Sequence, residues 1–65
     1  MSTRFPDITV SLLEQAGKPM AQIAMVRRAL QNAGHDQAAR EFTDLAFAAE
    51  ADEIVALARQ FVTVI

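Results

Sequence analysis

The sequence predicts a small α+β domain of order β-α-α-α-β, in which strands at the two ends of the chain pair and the helices pack on one face. Two observations predict this fold. Apolar and polar residues alternate in residues 8–12 and again in 61–65, which is the period of a half-buried strand. Between these segments apolar residues recur at spacings of three and four, as on amphipathic helices. We expect one domain over residues 7–65, preceded by a flexible tail at 1–6.

The first predicted strand covers residues 7–13 and has one apolar and one polar face. The apolar side chains, on the face expected to meet the core, are those of Ile8, Val10 and Leu12. Thr9 and Ser11 point the other way, so we expect them to contact water. The following residues, 14–17, are typical of a loop in which Gly17 can adopt the positive φ that other residues avoid.

The first helix is expected over residues 19–33, with Pro19 in the first turn, where a missing N–H costs no hydrogen bond. Gly34 occupies the position of the left-handed residue that often ends a helix. The side chains expected to face the core are those of Met20, Ile23, Val26, Leu30 and Ala33. The opposite side carries Arg27, Arg28, Gln31 and Asn32.

A second helix is expected to start at Asp36, whose carboxylate can cap the free N–H groups of the first turn. Its inward stripe consists of Ala38, Phe42, Leu45 and Ala49. A third helix is expected near Asp52, again as the N-cap, and its inward residues are Ile54, Leu57, Ala58 and Phe61. Because residues 46–51 contain no Gly or Pro, one long kinked helix is the alternative.

Length and composition predict that the chain associates with copies of itself. A domain of about this size, ~60 residues, buries only about 60% of its unfolded surface. Such small folds are commonly reinforced by disulfides, a metal ion or oligomerisation. The sequence has no Cys and a single His, which removes disulfides and thiolate metal sites. We therefore expect a homo-oligomer without a metal or a cofactor.

Charge and hydropathy argue against several kinds of partner. The formal net charge of −2 at pH 7 disfavours general nucleic-acid binding, which requires a basic surface. Residues 1–6 lack the apolar segment of a secretion signal. No apolar run approaches the ~20 residues that span a bilayer. We therefore expect a cytoplasmic protein with no membrane partner.

The sequence offers no set of residues suited to catalysis. His35 lies beside Asp36, which can orient an imidazole base, but there is no Cys and no Ser in a nucleophile motif. We expect His35 to be structural. Glu50, Asp52 and Glu53 do not share one helical face, so helix-start electrostatics explains them better than paired catalytic carboxylates. The protein is predicted not to be an enzyme.

A small group of residues is predicted to mediate binding. Arg27 and Arg28 are adjacent and can hold a phosphate or carboxylate with paired guanidiniums, with a solvated or ion-paired face as the alternative. Met25 and Phe47 point away from the predicted core stripes and indicate a contact patch, unless the helix boundaries are shifted. The terminal strand leaves an apolar edge that invites pairing with another chain, and its last residues are Val64 and Ile65.

A series of short motifs covers nearly the whole chain. The first strand and its loop contain Thr9, Val10, Leu12 and Gly17, and the first helix contains Val26, Arg28, Ala29, Leu30, Ala33 and Gly34. The later motifs contain Glu41 and Phe42, and then Phe61, Val62 and Val64. Together they resemble a group of small bacterial, plasmid and phage proteins of uncharacterised function. The chain departs from the pattern at 13–16, a loop usually richer in Gly and Asp, and at 48–50, usually a Ser-Gly-Asp turn.

The resemblance implies no activity, but it implies a phage or mobile-element origin, in which small proteins often act by binding a host component. We therefore predict a non-catalytic homo-oligomer that captures a host protein or a small anionic, nucleotide-like ligand. The alternative is a DNA-binding regulator of the ribbon-helix-helix kind, because a strand followed by two helices is its element order. Against that alternative, the first strand has no Arg, Lys, Asn or Gln to read bases.

Overall fold

The computed structural model describes residues 3–12 and 17–65 of the chain. Its elements are β1 (Phe5–Val10), α1 (Pro19–Asn32), α2 (Asp36–Ala48), a 3₁₀ turn (Ala51–Glu53), α3 (Ile54–Phe61) and β2 (Val62–Val64). The predicted α+β order and the pairing of the two terminal strands are confirmed. The second and third helices are separate, so the alternative of one long kinked helix is wrong.

The two strands form a parallel sheet. Parallel strands need a long crossover connection, which the three helices provide. Thr9 lies opposite Thr63, whereas Phe5 lies opposite Val62, so β1 has extra residues between these two pairs and the register shifts there.

One apolar core lies between the sheet and the helices. Within it, the rings of Phe42 and Phe61 meet edge to face, with centroids 5.4 Å apart and planes at 73°. Other buried residues of this core are Val10, Leu12, Ile23, Val26, Leu30, Ala39, Ala46, Ile54, Ala58 and Val62. Thr9 and Ser11 are exposed, so the two faces predicted for the first strand are confirmed.

The N-terminal segment joins the fold earlier than the sequence predicts. The strand covers Phe5–Val10 and not residues 7–13, so Phe5 and Pro6 belong to it and not to a tail. Just before the strand, the Arg4 N–H donates to the Gln60 carbonyl at 3.0 Å. This long-range bond shows that the chain is held against the end of α3 before β1 begins.

Both glycines adopt the positive φ expected from the sequence, with φ +77° at Gly17 and +86° at Gly34. Residues 13–16, the end of the predicted first strand and most of its loop, lie outside the described residues. After α1, the Gly34 N–H donates to the Gln31 carbonyl at 3.0 Å and the His35 N–H to the Leu30 carbonyl at 2.9 Å. These two bonds form a Schellman motif, which ends the helix.

Two helix starts differ from their predictions. Asp36 is the first residue of α2 and His35 holds the N-cap position, so the predicted N-cap at Asp36 is wrong. Before α3, the N-cap of the 3₁₀ turn is Glu50 and not Asp52. Glu50 and Glu53 form a capping box, in which the Glu50 N–H donates to Oε1 of Glu53 at 3.2 Å. A glutamate pair therefore starts the turn that leads into α3.

Two large residues predicted for the core lie at the surface. Met20 is 63% exposed and Leu45 is 48% exposed. In α2 the buried residues are Phe42 and the alanines Ala38, Ala39 and Ala46, and the small alanines let the helix approach its neighbours closely. Ala33, also predicted to face inward, is exposed. The apolar stripes of α1 and α2 are therefore predicted correctly as stripes. The prediction is wrong about which side of each stripe is buried in the core.

Candidate binding surfaces

A groove runs between β1 and α1, hereafter the β1–α1 groove. Its volume is about 460 Å³, which is within the range of small-ligand sites. On the strand side it is lined by Thr9, Val10 and Ser11. On the helix side its residues include Ala21, Ala24, Met25, Arg28 and Asn32. The groove thus combines an apolar wall with two hydroxyl groups, an amide and one guanidinium.

The strand edge that borders this groove has no strand neighbour in the described part of the chain, where the sheet contains β1 and β2 alone. The hydrogen bonds between residues 10–12 and Ile65 identify which main-chain groups of the first strand face β2. The Ile65 N–H donates to the Val10 carbonyl at 3.0 Å, and the Leu12 N–H donates to the Ile65 carbonyl at 3.4 Å. Because neighbouring residues of a strand direct these groups to opposite edges, the N–H and C=O groups of Thr9 and Ser11 point away from β2.

The structure places the two predicted anion-binding arginines in different grooves. Arg28 lines the β1–α1 groove. Arg27 lines a second groove, between α1 and α2, together with Asp36, Arg40 and Asp44. Successive residues of an α-helix are about 100° apart around its axis, so adjacent side chains point in different directions. A ligand in the β1–α1 groove therefore meets Arg28 without Arg27, and the paired clamp expected from their adjacency is not formed there.

Met25 and Phe47 are both exposed, by 36% and 59% respectively, as their positions off the core stripes predict. Met25 lines the β1–α1 groove, whereas Phe47 lies one helical turn after Thr43, a residue of the α1–α2 groove. The exposure predicted for both residues is therefore confirmed, and their contact with a partner stays a prediction.

Met20 is an exposed apolar residue, although its place on the first helix predicts a core position. On α1 it shares a helical stripe with Arg27 and Gln31, which line the α1–α2 groove. The short connection 33–35 makes α1 and α2 antiparallel neighbours, so the start of α1 lies beside the end of α2. From this geometry we expect the exposed side chains of Met20 and Phe47 at the same end of the helix pair, and we call these two residues the Met20–Phe47 patch.

The end of the terminal strand is only partly available for contacts. Ile65 is 62% exposed. Val64 is half-buried and packs against the core. Of the two predicted edge residues, Ile65 therefore offers most of the free apolar surface.

His35 takes part in a packing contact with the N-terminal segment. Its ring stacks on Phe5, with centroids 4.2 Å apart and planes at 27°. Beside it, Arg4 forms an ion pair with Glu41, and the Arg4 guanidinium lies 4.7 Å from the centre of the Phe61 ring. These contacts attach the start of the chain to α2 and α3. The stacking on Phe5 gives His35 a structural role, as the sequence predicts.

Residues 3–12 and 17–65 contain neither a cluster of metal ligands nor a membrane-spanning helix. No group of three or more His, Asp or Glu residues is placed there to hold a metal ion. None of the helices in these ranges combines the length and the apolar character needed to cross a bilayer. The neighbouring acids Glu50 and Glu53 are engaged with each other's main chain in the capping box.

Comparison of the chain with protein-family models, with curated proteins and with solved structures found no significant match. The surfaces of this chain are therefore the basis on which its function is inferred.

Proposed function

We propose that the protein is a non-catalytic, homo-oligomeric binding protein of the cytoplasm that captures a host protein or a small anionic ligand. The observation that supports it most directly is the exposure of large apolar side chains on a small domain. Between 36% and 63% of the surface of Met20, Met25, Leu45, Phe47 and Ile65 is exposed. Association removes such area from water, at about 25 cal/mol per Å².

Self-association is assigned to the Met20–Phe47 patch. An aromatic side chain surrounded by apolar neighbours is the usual anchor of a protein interface. Because homo-oligomers are mostly symmetric, the same patch on a second copy is the simplest partner for it. The free edge of β2, together with the exposed Ile65 that follows it, provides a further contact for that second copy.

Capture of the ligand or host component is assigned to the β1–α1 groove. There Arg28 supplies a charged hydrogen-bond donor for a carboxylate or phosphate. The hydroxyl groups of Thr9 and Ser11 add donors and acceptors, and the side chain of Met25 contributes to the apolar wall. A host component is the captured molecule that a phage or mobile-element origin, expected from the sequence motifs, would predict.

Native mass spectrometry and light scattering at micromolar concentration test the oligomeric state. We expect a dimer or a larger assembly, and we expect Phe47→Ser to convert it to the monomer by removing the anchor. Ala48→Ser is the matched control, because Ala48 is an exposed neighbour on the same helix. A monomeric unmodified chain, or equal effects of the two substitutions, would contradict the assignment.

The ribbon-helix-helix alternative requires the first strands of two copies to pair and to present Thr9 and Ser11 to DNA. The free edge of β1 and the exposure of both residues favour it, whereas the net charge of −2 opposes it. We expect no gel shift with duplex DNA at any salt concentration. A shift that weakens steeply as salt rises would favour the DNA-binding regulator over the capture protein.

A further inference from the structure

We propose that the β1–α1 groove accepts an extended segment of a partner protein, carrying an acidic side chain, which joins β1 as an added strand. This inference rests on the proposed capture function and specifies the kind of partner. Three features of the groove carry it: the free strand edge, the apolar helix wall and the isolated positive charge.

The strand edge supplies the main-chain bonds. Thr9 and Ser11 each direct one N–H and one C=O away from β2, and both residues line the groove. Exposed strand edges of this kind bind extended peptides by main-chain hydrogen bonds, with side-chain pockets adding specificity. An added strand here would turn the two-stranded sheet into a three-stranded one, which is the more stable arrangement.

The helix wall supplies the side-chain contacts. Successive side chains of a strand point to opposite faces, so every second side chain of an added strand would face α1. The small residues Ala21 and Ala24 leave room for these side chains, and Met25 is a flexible apolar surface for them. The volume of about 460 Å³ gives space for several side chains.

The charge of the groove selects an acidic partner. Residues 17–35 contain Lys18, Arg27 and Arg28 and no Asp or Glu, and no carboxylate occurs among the described residues that line the groove. A carboxylate from the partner would give Arg28 a charge-assisted, bidentate hydrogen bond. Pairing β1 with its own copy would instead bring together two α1 helices that are cationic and contain no acid, and the copy's β1 would offer Arg28 one carboxylate, that of Asp7. Charge therefore favours a different chain over a second copy.

A displayed library of random peptides of about seven residues, selected on the full chain, tests the proposal. We expect the selected peptides to alternate β-branched or aromatic residues with polar ones and to carry Asp or Glu at one fixed position. Selection on Arg28→Glu is expected to replace that acid by Lys or Arg. Arg40→Glu makes the same change of charge in the α1–α2 groove and is expected to keep the acid.

The strand mode is tested with a selected peptide and Thr9→Pro. This substitution removes an N–H that points away from β2 and spares the bonds to β2, so we expect an affinity loss of about tenfold with little change in thermal melting. On the unmodified chain, the amides of Thr9 and Ser11 are expected to exchange more slowly when the peptide is bound. This second measurement does not depend on how the proline variant folds.

Several results would overturn the inference. The selection could yield no peptides, or peptides without an acid at a fixed position. The peptides selected on Arg28→Glu and on Arg40→Glu could show the same preference at that position. The bound peptide could also slow amide exchange at residues other than those of the free edge of β1. Dissociation of the oligomer by the selected peptide would identify a second copy as the occupant and would overturn it too. The oligomeric state is measured without peptide. Failure of the groove to bind peptides can therefore be distinguished from failure of the chain to form an oligomer.

Discussion

At the scale of single residues, Arg4 shows how a side chain outside the predicted fold contributes to it. The Arg4 guanidinium pairs with Glu41 and lies over the Phe61 ring, and both members of the ion pair are 49% exposed. An exposed ion pair contributes about 0–1 kcal/mol, and an exposed cation–π contact adds about 0.5–1 kcal/mol. The contact with the ring therefore matters at least as much as the charge pair.

Arg4→Gln should lower the free energy of unfolding more than Glu41→Gln does. We expect a loss of about 1 kcal/mol for Arg4→Gln, because both interactions disappear, and a loss below about 0.5 kcal/mol for Glu41→Gln. Urea denaturation of the two variants and the unmodified chain measures the difference. Equal losses would show that the ring contact contributes nothing.

The candidate site was partly predictable at this scale. The exposure of Met25 and Phe47 follows from their positions on the helices, and Arg28 was identified from its chemistry. The roles of Thr9 and Ser11 as groove residues were missed, because their polar side chains indicated only a face in contact with water. The free main-chain groups beside them become visible only when the partner of β1 is known.

At the scale of elements, helix ends were predicted well where glycine marks them and poorly elsewhere. Gly34 ends α1 as expected, because a left-handed residue after a helix is a local requirement of the backbone. The break between α2 and α3 contains no Gly or Pro, and it is made by an extended Ala49 followed by the Glu50–Glu53 capping box. A glutamate at the N-cap is outside the usual preference for Ser, Thr, Asp or Asn, so the signal was missed.

Gly34→Ala should destabilise the protein by about 1 kcal/mol. A Cβ at this position would meet no atom within 4 Å, so the cost is that of the positive φ alone. Gly34→Asn should cost less, because asparagine tolerates this conformation better than alanine. Thermal and urea unfolding of both variants measure the order of the losses. A larger loss for asparagine would contradict the conformational explanation.

At the scale of the whole molecule, the fold depends on bringing together residues from the two ends of the chain. Val62, the first residue of β2, has no exposed surface and lies in the same core as Val10. The Thr63 hydroxyl also donates to the Pro6 carbonyl at 2.9 Å. The strands therefore close the core over the helices, and the helical part alone would leave apolar surface uncovered.

Val62→Thr should test this closure, because it places a hydroxyl in the core with little change of volume. We expect a loss of about 1–3 kcal/mol in the free energy of unfolding, the cost of burying a hydroxyl without a partner. Val64→Thr is the matched control on the same strand, and since Val64 is half-buried its loss should be smaller. A larger loss for Val64→Thr would show that Val62 is not a critical core position.

The sequence by itself determined the type and order of the elements, the meeting of the terminal strands and the two faces of the first strand. These features follow from local backbone preferences and from the spacing of apolar residues, which differs between strands and helices. Only the tertiary structure decided which flank of each helix meets a neighbour, and hence that Met20 and Leu45 are exposed and that Arg27 and Arg28 face different grooves. The reason is that the apolar stripe of a helix is broader than the surface it buries. Close packing with the surrounding elements sets the rotation of the helix about its axis, and this rotation decides which part of the stripe is buried.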